Sequence, residues 1–318
     1  MHKQSAVVVG AGLMGCDIAA IFLNAGWRVQ AVEPGAAHRQ AARMRMQTSV
    51  EQLKGRWDES LLLIPSSLEE VRWDGVAIVI ETVTEKLDIK QQVFAQLDRL
   101  VPPQIPIGSN SSGLRITDIA ANCATSARMA NAHFFLPAHL VPLVELAKGE
   151  ATSVQTLDQL QAIFRDVGRV AVRINKDLPG FLANRIQHAL MREAFAIIDS
   201  GLATPEDVDA AVRFGFGFRY VAAGPILQKE LSGLDTQLAA ATAIYPSLCN
   251  DPEPSRGLRK LVAQGRLGTK SLAGYWTWTP EQVQAERARF EAVLGDAAEL
   301  LARSPAQLPD CSGDTCLP

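Results

Sequence analysis

A chain of 318 residues, 47% hydrophobic and 20% charged, carries enough apolar material for two packed domains and belongs with soluble globular proteins. Its net charge of -3 and pI near 6.0 argue against nucleic-acid or membrane-surface partners, and no apolar run reaches the roughly eighteen residues that a membrane span needs. The five cysteines show neither zinc spacing nor an even disulfide framework, and no charged leader with an apolar core opens the chain, so a metal-free cytoplasmic protein is expected.

Ser5 to Val9 is a short valine-rich run that reads as a strand. Gly10, Gly12 and Gly15 follow in G-x-G-x-x-G spacing, with Leu13 and Met14 expected beside them among the ligand-binding residues, and Ile18, Ile21 and Phe22 then open a helical pattern. The three glycines play different parts. Gly10 makes the tight turn, Gly12 lets a pyrophosphate approach the backbone, and Gly15 lets the helix lie close on the strand. The free N–H groups at that helix start would face the phosphates. Trp27 to Val32 reads as a second strand ending at Glu33, eighteen residues after Gly15. A carboxylate there accepts bonds from the adenosine ribose hydroxyls and repels a 2′-phosphate, which favours NAD over NADP. Arg28 and Arg39 lie close enough in sequence to blunt that preference.

Residues 36 to 56 are helix-prone with six basic side chains, counting His38, and 61 to 67 read as a short strand and turn. Val76 to Val83 is a nearly continuous apolar run, as expected of a strand covered on both faces. Leu87 to Leu100 is an amphipathic helix stopped by Pro102-Pro103, and Ile105 to Ser109 is a buried strand running into the polar turn Asn110-Ser111-Ser112-Gly113. Strands alternating with helices imply a parallel sheet whose carboxyl ends gather ligands. Met129 to Phe135 and Leu143 to Ala147 read as strands, Thr156 to Val167 as a helix, and Arg169 to Ile174 as a last strand. Beyond a break near residue 178 the pattern is helical: 181 to 200, a start at Thr204-Pro205, then 224 to 244, 255 to 264 and 280 to 303. The expected organisation is a nucleotide-binding domain over 1–178, an all-helical domain over 179–305, and a disordered tail over 306–318.

With NAD placed, hydride chemistry needs a proton acceptor, and histidine suits it. Among five histidines, His2 is terminal, His38 lies on the basic helix, and His188 reads as a hydrogen-bonded core residue. His133 and His139 remain. On a strand of period two, His133 faces the same way as Asn131 and Phe135, and a hairpin-like return could bring Glu145, twelve residues on, to its imidazole.

At this point the chain resembles the 3-hydroxyacyl-CoA dehydrogenase family, through GAGLMG, ETVTEKLDIKQQVFAQLD, SNSSGLRITDIA, HFFLPAHLVPLVEL, KDLPGFLANRI and GRLGTKSLAGYW, over roughly residues 5 to 280. The resemblance implies a Rossmann-like α/β domain with extra antiparallel strands, an all-α domain and a homodimer. It implies His133 as catalytic base, Glu145 as its partner, Ser112 and Asn184 on the substrate oxygen, and Glu85, Lys90 and Lys270 near the nicotinamide half of NAD. The plain readings of Ser112 and Asn184 are a turn serine and a capping or solvated asparagine.

Three departures bear on the substrate. Leu136 stands where the family has asparagine; the stretch from Glu33 to Val76 is shorter than the helical arm that lines the CoA channel in acyl-CoA members; and RFGFGFRYVAAGP at 213–225 resembles the L-gulonate and L-carnitine dehydrogenase branch, where Arg219 could pair a free carboxylate or face solvent. Ser49, Lys54 and Arg56 fall near the family's CoA contacts. The expectation is therefore an acyl-CoA thioester, with a free hydroxy acid as the alternative and an NAD-binding protein without turnover as a third reading.

Overall fold

The computed structural model describes residues 4–303. The chain divides into two compact units, one up to residue 185 and one from residue 186.

The first unit is built on one eight-stranded sheet in the order β3-β2-β1-β4-β5-β6-β7-β8. Its strands are β1 (Ser5–Val9), β2 (Arg28–Val32), β3 (Leu62–Leu63), β4 (Val76–Glu81), β5 (Ile107–Ser109), β6 (Met129–Phe134), β7 (Leu143–Ala147) and β8 (Val170–Ile174). All pairings are parallel except β6 with β7, so β7 and β8 run against the rest. Five helices belong to this unit: α1 (Leu13–Asn24), α2 (Ala36–Gln52), α3 (Leu87–Leu100), α4 (Ile116–Ile119) and α5 (Val154–Asp166).

Every residue of β1 is buried, and its period of two sorts them. Ala6 and Val8 join Ile18 and Phe22 of α1, Met46 of α2 and Phe164 of α5 on one face. Val7 and Val9 join Phe94 and Leu97 of α3 with Ile116 and Ile119 of α4 on the other. Each large side chain so buried is worth about 1.5–3 kcal/mol of transfer free energy, and the double cover explains why β1 and β4 read as unbroken apolar runs. The order of strands reverses between β1 and β4, which places a crevice at their carboxyl ends.

In the second unit the helices are α6 (Ala183–Ser200), whose first turn belongs to the first unit, then α7 (Pro205–Ala211), α8 (Gly217–Arg219), α9 (Pro225–Ser232), α10 (Leu234–Ile244), α11 (Arg256–Ala263) and α12 (Pro280–Arg303). Thr204 caps α7 by accepting from the Asp207 N–H, with Pro205 at the first position.

Four expectations need correction. The helix-prone stretch after Glu33 ends at Gln52 rather than Arg56, because Lys54 takes a left-handed φ of 57° that a helix cannot continue. The span 224–244 is two helices, broken at Gly233 with φ 91°. His188 is exposed, not a core histidine. The strand expected over 105–109 begins at Ile107, since Pro106 can offer no N–H to a ladder. The tail over 306–318, with Cys311 and Cys316, lies outside the described residues.

Candidate active site

At the carboxyl end of β1 the chain turns through Gly10 at φ 98°, whose N–H donates to the Val32 carbonyl. A Cβ on Gly15 would lie 1.9 Å from the Gly10 carbonyl oxygen, so α1 can rest on this turn only with glycine there. A Cβ on Gly12, the residue preceding α1, would meet no protein atom within 4 Å. The first N–H groups of α1, at Leu13 and Met14, have no carbonyl within their own helix to bond. Open space before unpaired N–H groups suits a pyrophosphate. Glu33 follows β2; its Oε1 accepts from Gly35 N–H at 2.9 Å, and His38 Nδ1 stands 3.7 Å away. Arg39, which could have countered Glu33, donates instead to the backbone carbonyls of Glu33 and Pro34. The residues present fit NAD: a glycine cradle for its phosphates and a carboxylate at the neighbouring strand end for its ribose.

Farther along the sheet, beyond β4 and β5, strands β6 and β7 pair with His133 opposite Glu145. His133 Nδ1 lies 3.0 Å from Glu145 Oε2, and both residues are buried. The other carboxylate oxygen, Oε1, accepts from the N–H groups of Leu182 at 3.1 Å and Ala183 at 2.6 Å, where α6 begins. One buried carboxylate thus orients an imidazole and caps a helix. The His133 ring packs edge-on against Phe135 at 4.5 Å and tilted against Phe181 at 5.4 Å, and Phe181 itself is buried at a left-handed φ of 46°. Asn131, on the same strand face, is used for structure: its side chain accepts from Ile116 N–H and donates to the Leu114 carbonyl.

Between these two features, the end of β4 carries a charge cluster of Glu81, Lys90 and Glu85. Glu81 is fully buried and accepts from Lys90 Nζ at 2.8 and 3.0 Å, from Ser109 Oγ at 2.7 Å and from Val83 N–H at 2.6 Å. Lys90 Nζ also meets the Val83 carbonyl at 3.3 Å and Glu85 Oε2 at 3.3 Å. An ammonium group has three protons to give, and four acceptors already surround this one at 1% side-chain exposure. Lys90, expected near the nicotinamide half of NAD, is the cation of a buried ion pair.

Ser49, expected near the family's CoA contacts, is committed within the first unit. It is buried, and its hydroxyl donates to Asp17 Oδ1 at 3.1 Å, so it faces α1 and not a substrate. Asp17, buried on α1, also accepts from Arg45 Nη2 at 2.9 Å and Ala138 N–H at 3.3 Å, and His139 Nδ1 stands 3.2 Å from its Oδ2. Burial opposes its ionisation, but the bonds and charges of His139, Arg45 and Ser49 outweigh that and hold its carboxyl below the usual value. The rest of the expected set is placed less decisively. Ser112 and Glu85 stand exposed at the strand ends, Asn184 is half-buried in the first turn of α6, Arg56 is exposed just after α2, and in the second unit Arg219 and Lys270 are exposed. Leu136, beside the histidine strand, is also exposed.

A model of the 3-hydroxyacyl-CoA dehydrogenase NAD-binding domain matches residues 5–178, and one of the C-terminal domain of the same family matches residues 180–278. The chain is 31% identical to 5-formyl-3-hydroxy-2-methylpyridine 4-carboxylate 5-dehydrogenase of Mesorhizobium japonicum, over 90% of this chain and 95% of that protein. It is 33% identical to a probable 3-hydroxybutyryl-CoA dehydrogenase of Bacillus subtilis, over 87% of this chain and 98% of that one. A solved structure of a 5-formyl-3-hydroxy-2-methylpyridine 4-carboxylic acid 5-dehydrogenase, described as an NAD+-dependent dismutase, superposes with a TM-score of 0.85 at 28% identity, covering 93% of this chain and 99% of that one. With both domain models matched in order along a glycine-turn sheet and a helical second part, the chain belongs to the NAD-dependent 3-hydroxyacyl-CoA dehydrogenase family.

Proposed function

We propose that this protein interconverts a secondary hydroxyl and a ketone on a small carboxylic acid, with His133 as the base. The observation that carries the reading is the buried His133–Glu145 pair at 3.0 Å. Glu145 holds the Nδ1 side of the ring and so leaves Nε2 as the acceptor. In the oxidation direction, the substrate hydroxyl gives its proton to that nitrogen, the carbon–oxygen bond becomes a carbonyl, and the hydride leaves the same carbon. NAD, when bound, supplies the acceptor for that hydride. Ser112 and Asn184 steady the oxygen as charge shifts onto it.

The acyl-CoA expectation rested partly on Ser49, whose hydroxyl is committed to Asp17. The stretch after Glu33, already short for an acyl-CoA member, is the single helix α2 and a short return to β3 at Leu62. Both features favour a free acid, with Arg219 as the partner of its carboxylate. The exposed Arg56 favours the thioester as the second reading. A homodimer and a cytoplasmic setting belong to the same proposal. No described helix is long and apolar enough to cross a membrane.

The test is NADH consumption with acetoacetyl-CoA against a panel of free 3-keto acids. Turnover of a free acid at roughly ten times or more the kcat/KM of acetoacetyl-CoA is expected. The reverse ratio would return the protein to the thioester branch, and tight NADH binding with no turnover on either set would make it a binding protein.

A further inference from the structure

Glu145 holds the His133 ring at one nitrogen, and a single hydrogen bond leaves the plane of an imidazole free to tilt about it. Two phenyl rings restrict that tilt. Phe135, two residues further along the chain, meets the imidazole edge-on, with centroids 4.5 Å apart and planes at 61°. Phe181, from a distant part of the sequence, lies 5.4 Å away at 44° and is only 4% exposed. The next two residues, Leu182 and Ala183, give their N–H groups to Glu145 Oε1. Three consecutive residues therefore reach both members of the pair: a ring against the imidazole, and two N–H groups on the carboxylate that orients it.

The backbone beneath them is strained. Gly180 and Phe181 follow one another at φ 78° and 46°, and the Phe181 N–H donates to the Leu178 carbonyl at 3.1 Å. Glycine takes such a φ freely, whereas a bulky side chain resists it. Glycine or asparagine at the second position would close the same turn at lower cost. An aromatic residue is kept there only where its surroundings over-determine it, and the ring that Phe181 meets is the His133 imidazole. We infer that Phe181 is a positioning residue for proton transfer: its ring fixes the plane of the His133 imidazole while its left-handed backbone delivers the next two N–H groups to Glu145. The inference rests on the reading of His133 as the base.

Glycine at this position separates ring from backbone, because it removes the one and relieves the strain in the other. The assay is single-turnover NADH oxidation with whichever of acetoacetyl-CoA and the free 3-keto acids the wild type reduces. Phe181→Gly and Phe181→Ala are both expected to lose about 20-fold in rate, part of the roughly 10²-fold that a misplacement of about 1 Å can cost, with NADH affinity within about twofold of wild type. Phe181→Gly should nevertheless melt above Phe181→Ala, since only alanine keeps the strained φ. Phe181→Leu, which fills the volume without a flat face, guards against loss of the fold and should still lose about fivefold. In a His133→Ala background, Phe181→Gly should cost less than about twofold more, because no imidazole is left to position. A Phe181→Gly rate within about twofold of wild type, or the same loss in both backgrounds, would overturn the proposal and leave Phe181 a packing residue. Turnover by His133→Ala within about tenfold of wild type would instead remove the base reading on which the proposal stands.

Discussion

Glu145 is a side chain with two obligations. Its oxygens divide between the His133 ring and the N–H groups of Leu182 and Ala183. Glu145→Gln cannot meet both, because the amide nitrogen must face either the imidazole N–H or the helix N–H groups, donor against donor. We predict a fall in kcat on the order of 10²-fold, the usual worth of a positioned proton acceptor, with NADH affinity within about twofold of wild type; a kinetic and fluorescence titration of the variant checks both. Spacing alone offered the pair only as a possibility, and the family resemblance implied it; the antiparallel register of β6 and β7 is what sets the two residues face to face. The partners of Glu81, Asp17 and Lys90 were not legible in the sequence. Each depends on which buried neighbour a side chain meets, and those neighbours come from another strand or helix, out of reach of local spacing. Ser49 shows the cost: on a helix with weak amphipathic patterning, its buried face could not be told from its exposed one.

At the scale of elements, the Asp17 network ties α1, α2 and the segment after β6 behind the glycine turn. Asp17→Asn removes the charge that Arg45 and His139 meet. Breaking a buried pair costs roughly 3–5 kcal/mol when both partners are enclosed; Arg45 is 38% exposed, and screening brings the expectation nearer to about 2 kcal/mol. The midpoint of thermal unfolding at neutral pH should drop by roughly 4–8 °C. The sign with pH is fixed by the lowered carboxyl: the stability is in place above the unfolded aspartate value and is lost as pH falls through the folded one. Melting curves of the variant and wild type should therefore converge as pH falls below about 4. Element boundaries followed the sequence closely where Gly, Pro and caps punctuate it, as at Leu87–Leu100 and Pro280–Arg303. They failed where a single positive-φ residue interrupts a pattern that reads as continuous, at Lys54 and Gly233.

For the molecule as a whole, the two units differ in how they are held together. The first has a double core around its sheet. In the second, none of the helices from α7 to α12 contributes a buried residue, and Leu202, Ile226 and Leu231 are 78%, 76% and 77% exposed. We propose that this open apolar surface meets a second copy of this chain, the occupant the family resemblance implies. Light scattering at micromolar concentration should give twice the chain mass of 34.3 kDa, and a stable monomer would contradict the dimer. The change in periodicity falls near residue 178, and the compact units part later, inside α6 at residue 185. Proton transfer by His133 is the claim on which the functional reading stands, and single-turnover NADH oxidation in His133→Ala, read beside NADH affinity, reaches it directly. A loss on the order of 10³-fold in rate with affinity within about twofold is the predicted result; turnover within about tenfold of wild type would contradict it.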